Sequence, residues 1–164
     1  MGFFFPHFRR IFTMTYLERI TYLVGNFAQL TQYALKNAYR VVTLCDNSKR
    51  VNEFTKGDEL LVLSENQAKK LCLDQFTMGS SELEVFFKDK GMSEANYRAL
   101  VRILKKRDYV VNYFFIENSY ALSREEVAVY ESRIEELSSL CEECSKLIAK
   151  LCKESDKLYT LFQK

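Results

Sequence analysis

The chain offers few side chains for chemistry, and histidine is the scarcest of them. The 164 residues include one histidine, His7, close to the first residue. Histidine is the side chain that titrates near neutral pH, and it serves most often as general acid, general base or metal ligand. From Thr15 onward we therefore expect no histidine-dependent catalysis, which excludes Ser-His and Cys-His nucleophilic arrangements.

The five cysteines include one close pair, Cys141 and Cys144, separated by two glutamates. This spacing is found in zinc sites and in redox pairs. A zinc site needs a second pair of ligands, and the nearest candidate is Cys152 alone. Both thiols of the pair fall on the apolar stripe of a long helix, so we interpret them as small buried core residues and predict no metal and no cofactor.

A short basic run is the remaining chemical feature. Arg102, Lys105, Lys106 and Arg107 place four cations within six residues, and contacts to phosphates are made mainly by such side chains. The run is either a contact surface for the phosphates of RNA or the solvated face of a helix. No aromatic residue lies between these cations, unlike in proteins that stack the bases of single-stranded nucleic acids. A net charge of +2 does not by itself imply a nucleic-acid partner.

The elements that must position these residues are predicted to be helices. Between Thr15 and Cys45 the apolar residues recur at alternating spacings of three and four, which is one face of a long helix. A second such stripe runs from Val127 to Phe162, either as the core side of a bundle helix or as a coiled-coil seam. We predict an all-α, up-and-down helical bundle with long first and last helices.

Shorter helices are expected between the two long ones. Ser64 with Gln67, and Ser123 with Glu126, have the spacing of a capping box, so each serine should precede a helix. Gly91 should end a helix, because glycine is common just beyond the last turn. The expected segments are a loop or helical turn over 48–63, a helix over about 65–75 and a break at 78–81. A short helix capped by Ser80 or Ser81 should follow and run to Lys90, and a longer helix over 93–117 should end at a break at 118–119.

The length is enough for one domain with a core of its own. We assign residues 1–14 to an N-terminal extension, with Met14 as an alternative native start, and residues 15–164 to a single helical-bundle domain. No window of 18 residues is wholly apolar, so no membrane span is predicted. In a secretory signal the positive charges precede the apolar run, whereas in this extension they follow it. An odd number of cysteines without such a signal predicts reduced thiols and a cytoplasmic protein.

Two segments resemble the HEPN superfamily, the higher eukaryotes and prokaryotes nucleotide-binding domains. The first is 76–79, Phe-Thr-Met-Gly, with a short apolar helix after it. The second is 107–115, Arg-Asp-Tyr-Val-Val-Asn-Tyr-Phe-Phe. Small bacterial HEPN-like proteins carry a Thr-x-Gly turn. Later in their sequence an arginine is followed by a histidine and then by two aromatic residues. The resemblance implies a HEPN-like helical bundle over about residues 15–160.

The resemblance also implies a site, but a degenerate one. In the ribonuclease members of this family, the arginine and the histidine of two protomers meet at a dimer interface and act on RNA. Arg107 and Asp108 match the arginine and the polar position after it, whereas Asn112 stands in place of the histidine. An amide forms hydrogen bonds but does not exchange a proton near neutral pH. We therefore expect no catalytic residues here.

The segment 109–115 contains six apolar or aromatic side chains among seven residues. On a helix they point in nearly all directions, so one core face cannot bury them all. Together with the twofold contact that the resemblance implies, this predicts a homodimer whose interface includes Tyr109, Tyr113 and Phe114. The leading hypothesis is a non-catalytic, homodimeric interaction protein, with a further protein partner left open. The alternative is an RNA-binding protein or a toxin-type ribonuclease.

Overall fold

The computed structural model describes residues 14–48, 62–68, 70 and 80–162, and all of the elements in these ranges are helical. Residues 1–13 of the N-terminal extension, most of the expected loop over 48–63 and positions 78–79 of the expected break lie outside these ranges. The expected break at 78–81 is wrong at its last two positions, because Ser80 and Ser81 are helical. In chain order, the helices are α1 (Tyr16–Asn47), α2 (62–68), α3 (Ser80–Asp89), α4 (Glu94–Asn112), α5 (Phe114–Ser123) and α6 (Val127–Tyr159), followed by a 3₁₀ turn at Thr160–Phe162.

The predicted all-α bundle with long first and last helices is confirmed. α1 has 32 residues and α6 has 33, which makes each about 50 Å long. Among the described residues, no helix is both long enough and apolar enough to cross a membrane.

α1 begins at a capping box that the sequence interpretation overlooked. The Thr15 hydroxyl accepts a hydrogen bond from the Glu18 backbone N–H at 3.3 Å, and the Glu18 carboxylate accepts one from the Thr15 N–H at 2.7 Å. This satisfies two of the backbone donors that a helix leaves unpaired at its first turn. The bonds to the carboxylate hold the pKa of Glu18 below its usual value, with the backbone bond as the larger cause.

α1 and α6 run parallel and form the spine of the molecule. The ring of Tyr16 stacks on Tyr130, with 5.4 Å between the centroids, and the Cys152 thiol donates to the Asn37 amide oxygen at 3.3 Å. α4 runs antiparallel to α6, because Asn96 near its start bonds Glu154 near the end of α6. The long helices therefore alternate in direction along the chain, as an up-and-down bundle requires.

Both predicted apolar stripes face the core, which confirms the core interpretation of the last helix within this chain. The exceptions lie at the helix starts, where Leu17 and Val127 are about half exposed. The fully buried members of the two stripes are Ile20, Phe27, Thr31, Ala34, Ala38, Val41, Leu137, Cys144 and Leu151.

Gly91 ends the short helix α3, as predicted. Its φ of +86° lies in the left-handed region, where glycine carries no Cβ penalty. The Gly91 N–H bonds the Lys88 carbonyl at 3.0 Å, and the Met92 N–H bonds the Phe87 carbonyl at 3.2 Å. This pair of bonds is the Schellman motif, and it turns the chain so that Met92 is buried against the same core as Phe87.

The expected single helix over 93–117 is wrong. α4 ends at Asn112, Tyr113 has φ −123°, and a separate helix α5 starts at Phe114. The expected break at Asn118 is also wrong, because the Asn118 side chain is buried and donates to the Phe114 carbonyl at 2.7 Å inside α5. The bend at Tyr113 lets Phe114 enter the core, where it is 1% exposed.

Neither predicted capping box forms. Ser64 lies inside the helical segment 62–68, and the Gln67 side chain accepts a hydrogen bond from Thr43 of α1. Ser123 donates to the Tyr120 carbonyl within α5 instead of capping α6. α6 starts after Glu126, which makes no side-chain cap. Ser64 is thus internal to α2, and Ser123 is the last residue of α5.

Candidate functional site

Arg107, the arginine of the HEPN-like motif, is held inside the molecule. It lies on the core face of α4 and is only 9% exposed. Its Nε and Nη2 both donate to one carboxylate oxygen of the adjacent Asp108, at 3.0 and 2.5 Å. A buried guanidinium is costly without a partner, and the half-exposed Asp108 carboxylate supplies one. The cation is therefore balanced within its own chain.

Asn112, which stands at the histidine position, does not meet Arg107. The two residues are five positions apart, which is about 140° around a helix. Arg107 faces the core, whereas Asn112 is exposed at the last position of α4. The other motif segment, 76–79, lies outside the described residues. The structure thus places the motif's arginine and its substituted histidine on different sides of one helix.

The four cations of the basic run do not converge. Arg102 forms an ion pair with Glu143 of α6, and Arg107 is paired with Asp108. Lys105 and Lys106 are exposed and have no ion-pair partner among the described residues. Two of the four charges are therefore neutralised in place, and the phosphate-contact hypothesis retains only the two lysines.

The three predicted interface residues have three different environments. Tyr113 is 55% exposed at the bend between α4 and α5. Tyr109 is half-buried, and burial, followed by its hydrogen bond to Glu117, raises the pKa of its hydroxyl. Phe114 is a core residue, because the bend turns it inward. The structure thus places Phe114 in the core and not on the outer surface where the sequence predicted it.

A cluster of exposed apolar side chains surrounds Tyr113, and we call it the α5 surface. Ile116 and Tyr120, one helical turn apart, are each 72% exposed, which is far more than a core helix allows. On the opposite side of α5, Phe114, Asn118 and Leu122 are buried. The α5 surface consists of Val111, Tyr113, Phe115, Ile116 and Tyr120.

Ile116 and Tyr120 were missed by the sequence interpretation, although a signal was present. α5 contains one charged residue, Glu117, among its ten residues, so it is apolar on nearly every side. A helix of that kind is normally covered on all sides. Within the described chain only one side of α5 is covered, and the other carries the α5 surface.

Charged residues flank the segment of the α5 surface in the sequence. Lys105 and Lys106 precede it on α4, and Arg124, Glu125 and Glu126 follow it. Arg124 lies over the Tyr120 ring at 5.4 Å from its centroid, with its Nε 3.6 Å from the Glu126 carboxylate.

The cysteine pair lies in the contact between α1 and α6. The Cys141 thiol donates to the Leu23 carbonyl at 3.8 Å and accepts from the Asn26 side chain at 3.6 Å. Burial raises the pKa of the Cys141 thiol, and burial together with Cys141 raises the pKa of Cys144 to about 12. Among the described residues, no group of three His, Cys, Asp or Glu side chains could hold a metal. These thiols act as small apolar side chains.

Comparison with known proteins adds no relative: no family model matches the chain, and neither a curated protein nor a solved structure matches it. The HEPN resemblance therefore rests on the two short segments 76–79 and 107–115. The function has to be argued from the geometry of the described residues.

Proposed function

We propose that this chain is a non-catalytic helical interaction protein that forms a homodimer through the α5 surface. In this proposal it is a HEPN-like protein of the cytoplasm with a degenerate ribonuclease motif. The observation that carries the proposal is the 72% exposure of both Ile116 and Tyr120 on a helix with a single charged residue. Contiguous exposed apolar surface of this kind usually marks a contact with another molecule.

The absence of catalysis is supported by the chemistry at the motif. Asn112 supplies no proton acceptor that titrates near neutral pH. The Arg107 guanidinium is bonded to Asp108 and faces the core, so it is not available to stabilise a developing phosphate charge. A retained RNA-binding function would depend on Lys105 and Lys106, and no described observation favours it over a solvated helix face.

Equilibrium sedimentation of the purified chain tests the proposal. We expect a dimer at micromolar concentrations, and we expect Tyr120→Ser to raise its dissociation constant at least about tenfold, since buried aromatic anchors dominate interface energies. The matched control is Tyr33→Ser on α1, which removes an exposed ring that lies outside the α5 surface. Circular dichroism should show an unchanged helix content for both variants.

A monomer over the whole concentration range would overturn the proposal. A dimer weakened equally by Tyr33→Ser and Tyr120→Ser would also overturn it, because the contact would then not be specific to the α5 surface.

A further inference from the structure

The first turns of α1 have an apolar flank that the described helices leave about half exposed. Leu17 belongs to the apolar stripe of α1, yet it is 49% exposed, and Tyr22 is 46% exposed. A shallow pocket of about 430 Å³ lies on this flank, lined by Met14, Thr15, Leu17, Glu18, Thr21 and Tyr22. The apolar stripe of a bundle helix is normally covered by a packed neighbour, so a covering element is missing from the described residues here.

Farther along α1 the same side of the helix is covered by α2. The Thr43 hydroxyl donates to the Gln67 side chain of α2 at 3.3 Å. Gly25 precedes Thr43 by about five helical turns and therefore lies on the same side of α1, and Thr21 lies about one turn before Gly25. Both are exposed, and no described atom beyond the helix's own backbone lies within 4 Å of the place that a side chain at Gly25 would take. This side of α1 therefore has a neighbour along its second half and an open groove, which we call the α1 groove, along its first half.

The residues that precede Met14 have a composition that suits the α1 groove. Residues 1–13 include five phenylalanines and one isoleucine. Burial of aromatic side chains stabilises a fold strongly, because each removes a large apolar area from water. The same segment carries Arg9 and Arg10, and Glu18 is the charged side chain among the residues that line the pocket. Apolar character and charge sign therefore both match.

The point of attachment also places this segment at the α1 groove. Residues 1–13 join the described chain at Met14, which itself lines the pocket. Thirteen residues can span more than about 40 Å, whereas the stretch of α1 from Leu17 to Gly25 is about 12 Å long. The segment is thus long enough to turn back and cover the whole groove of its own chain.

We propose that residues 1–13 fold back on α1 and pack their aromatic side chains into the α1 groove along Leu17, Thr21 and Gly25. The segment is then part of the helical domain and completes its core at the start of α1. This inference goes beyond the proposed homodimer and does not depend on the α5 surface. A membrane surface would also bind an aromatic and basic segment, but it would leave the flank at Leu17 without a neighbour in the chain.

Limited proteolysis of the full chain tests the contact. Trypsin cleaves after arginine, so the rate of cleavage after Arg9 and Arg10 measures how often the segment is released from the fold. Leu17→Ser changes the groove and leaves the segment intact, and we expect it to raise this rate at least about tenfold. The control is Tyr33→Ser, at a position of α1 outside the groove that is also 49% exposed, and it should leave the rate unchanged. Mass spectrometry identifies the cleaved bonds.

A second variant has opposite effects on an open and on a filled groove. Lysine has a higher helix propensity than threonine, so Thr21→Lys on an open helix face should leave the melting temperature unchanged or raise it. In a filled groove the longer, charged side chain displaces the aromatic residues, so we expect the melting temperature to fall by at least about 3 °C. The control is Ser138→Lys, at an exposed position of α6, which should not lower it.

The outcomes separate a groove filled by its own chain from the other possibilities. Equal rates of cleavage in the wild type and in Leu17→Ser would overturn the inference, as would a Thr21→Lys variant that melts no lower than the wild type. Protection of Arg9 and Arg10 only after vesicles of anionic phospholipid are added would also overturn it, because the segment would then bind a membrane surface. None of these results bears on the oligomeric state, so the proposed homodimer is tested separately.

Discussion

At Arg107 the chain holds a cation in the core beside a half-exposed carboxylate. Nearly all of the guanidinium is removed from water, and both of its contacts go to one oxygen of Asp108. Charge-assisted bonds of this geometry are strong and directional. Arg107 therefore contributes to the structure of α4, and its charge is not presented to an external phosphate.

This arrangement predicts that the purified protein cleaves neither structured nor single-stranded RNA. Restoring the motif with Asn112→His should not create activity, because the new imidazole would be exposed while Arg107 faces the core about 140° away around the helix. Gel-based cleavage assays in the presence of a metal chelator measure the activity of the wild type and of the Asn112→His variant. Metal-independent cleavage by the wild type that disappears in Arg107→Ala would contradict the prediction.

The buried thiols make a prediction about pH. Folding raises the pKa of Cys144 from 9.0 to about 12, mainly through burial and then through Cys141. Above pH 9 the folded state therefore keeps a proton that the unfolded chain releases. The contribution of this thiol to the free energy of unfolding is complete below pH 9 and decreases as pH rises toward 12. Urea denaturation should show a free energy of unfolding that declines above pH 9.

Replacing Cys144 with alanine should make that decline less steep, at a cost of about 1–3 kcal/mol at neutral pH from lost packing. The double variant Cys141→Ala with Cys144→Ala should bind no less zinc than the wild type, as measured by elemental analysis. Stoichiometric zinc in the wild type that is lost in the double variant would contradict the core interpretation of the pair.

At the scale of elements, the bend between α4 and α5 determines which side chains reach the surface. α4 ends at Asn112 and α5 begins at Phe114, so the apolar run continues but its direction changes. Tyr109 lies beside the bend, where burial and then Glu117 of the next helix raise the pKa of its hydroxyl. The bend buries Phe114 and leaves Ile116 outside.

The end of α5 is tied to α6 by a buried hydroxyl, and this gives a prediction for the element. Tyr130 donates to the Leu122 carbonyl at 2.8 Å, near the C-terminus of α5, where carbonyls lack helical partners. Tyr130→Phe should therefore lower the free energy of unfolding by about 1–2 kcal/mol. Tyr120→Phe is the control. Because the Tyr120 side chain is exposed, this substitution should lower the free energy of unfolding of the monomer by less than about 0.5 kcal/mol. Equal urea midpoints for the two variants would show that the buried bond adds no stability.

At the scale of the whole molecule, the parallel pairing of α1 and α6 decides where the α5 surface lies. Tyr16 at the start of α1 stacks on Tyr130 at the start of α6, and Tyr130 in turn holds the end of α5. The start of both long helices and the end of α5 are thus gathered at one end of the bundle. A dimer formed through α5 would join two bundles near these ends and leave the opposite ends, with α3, apart.

The sequence alone determined the features that depend on local spacing and composition. The stripes of α1 and α6 follow the helical period over more than eight turns, so their core sides were predictable. The turn at Gly91 was predictable because only glycine adopts its conformation without a Cβ penalty. The lack of histidine after His7 is a property of composition and needs no structure.

Only the tertiary structure decided which sides of α4 and α5 are covered. Residues 109–116 are apolar in nearly every direction, so no period distinguishes a core side from an outer side. α4 and α6 contact α5, and Phe114 belongs to the common core, whereas Ile116 and Tyr120 remain outside. The pairing of Arg107 with Asp108 also depends on this packing, since it is burial that makes a neighbouring carboxylate the necessary partner.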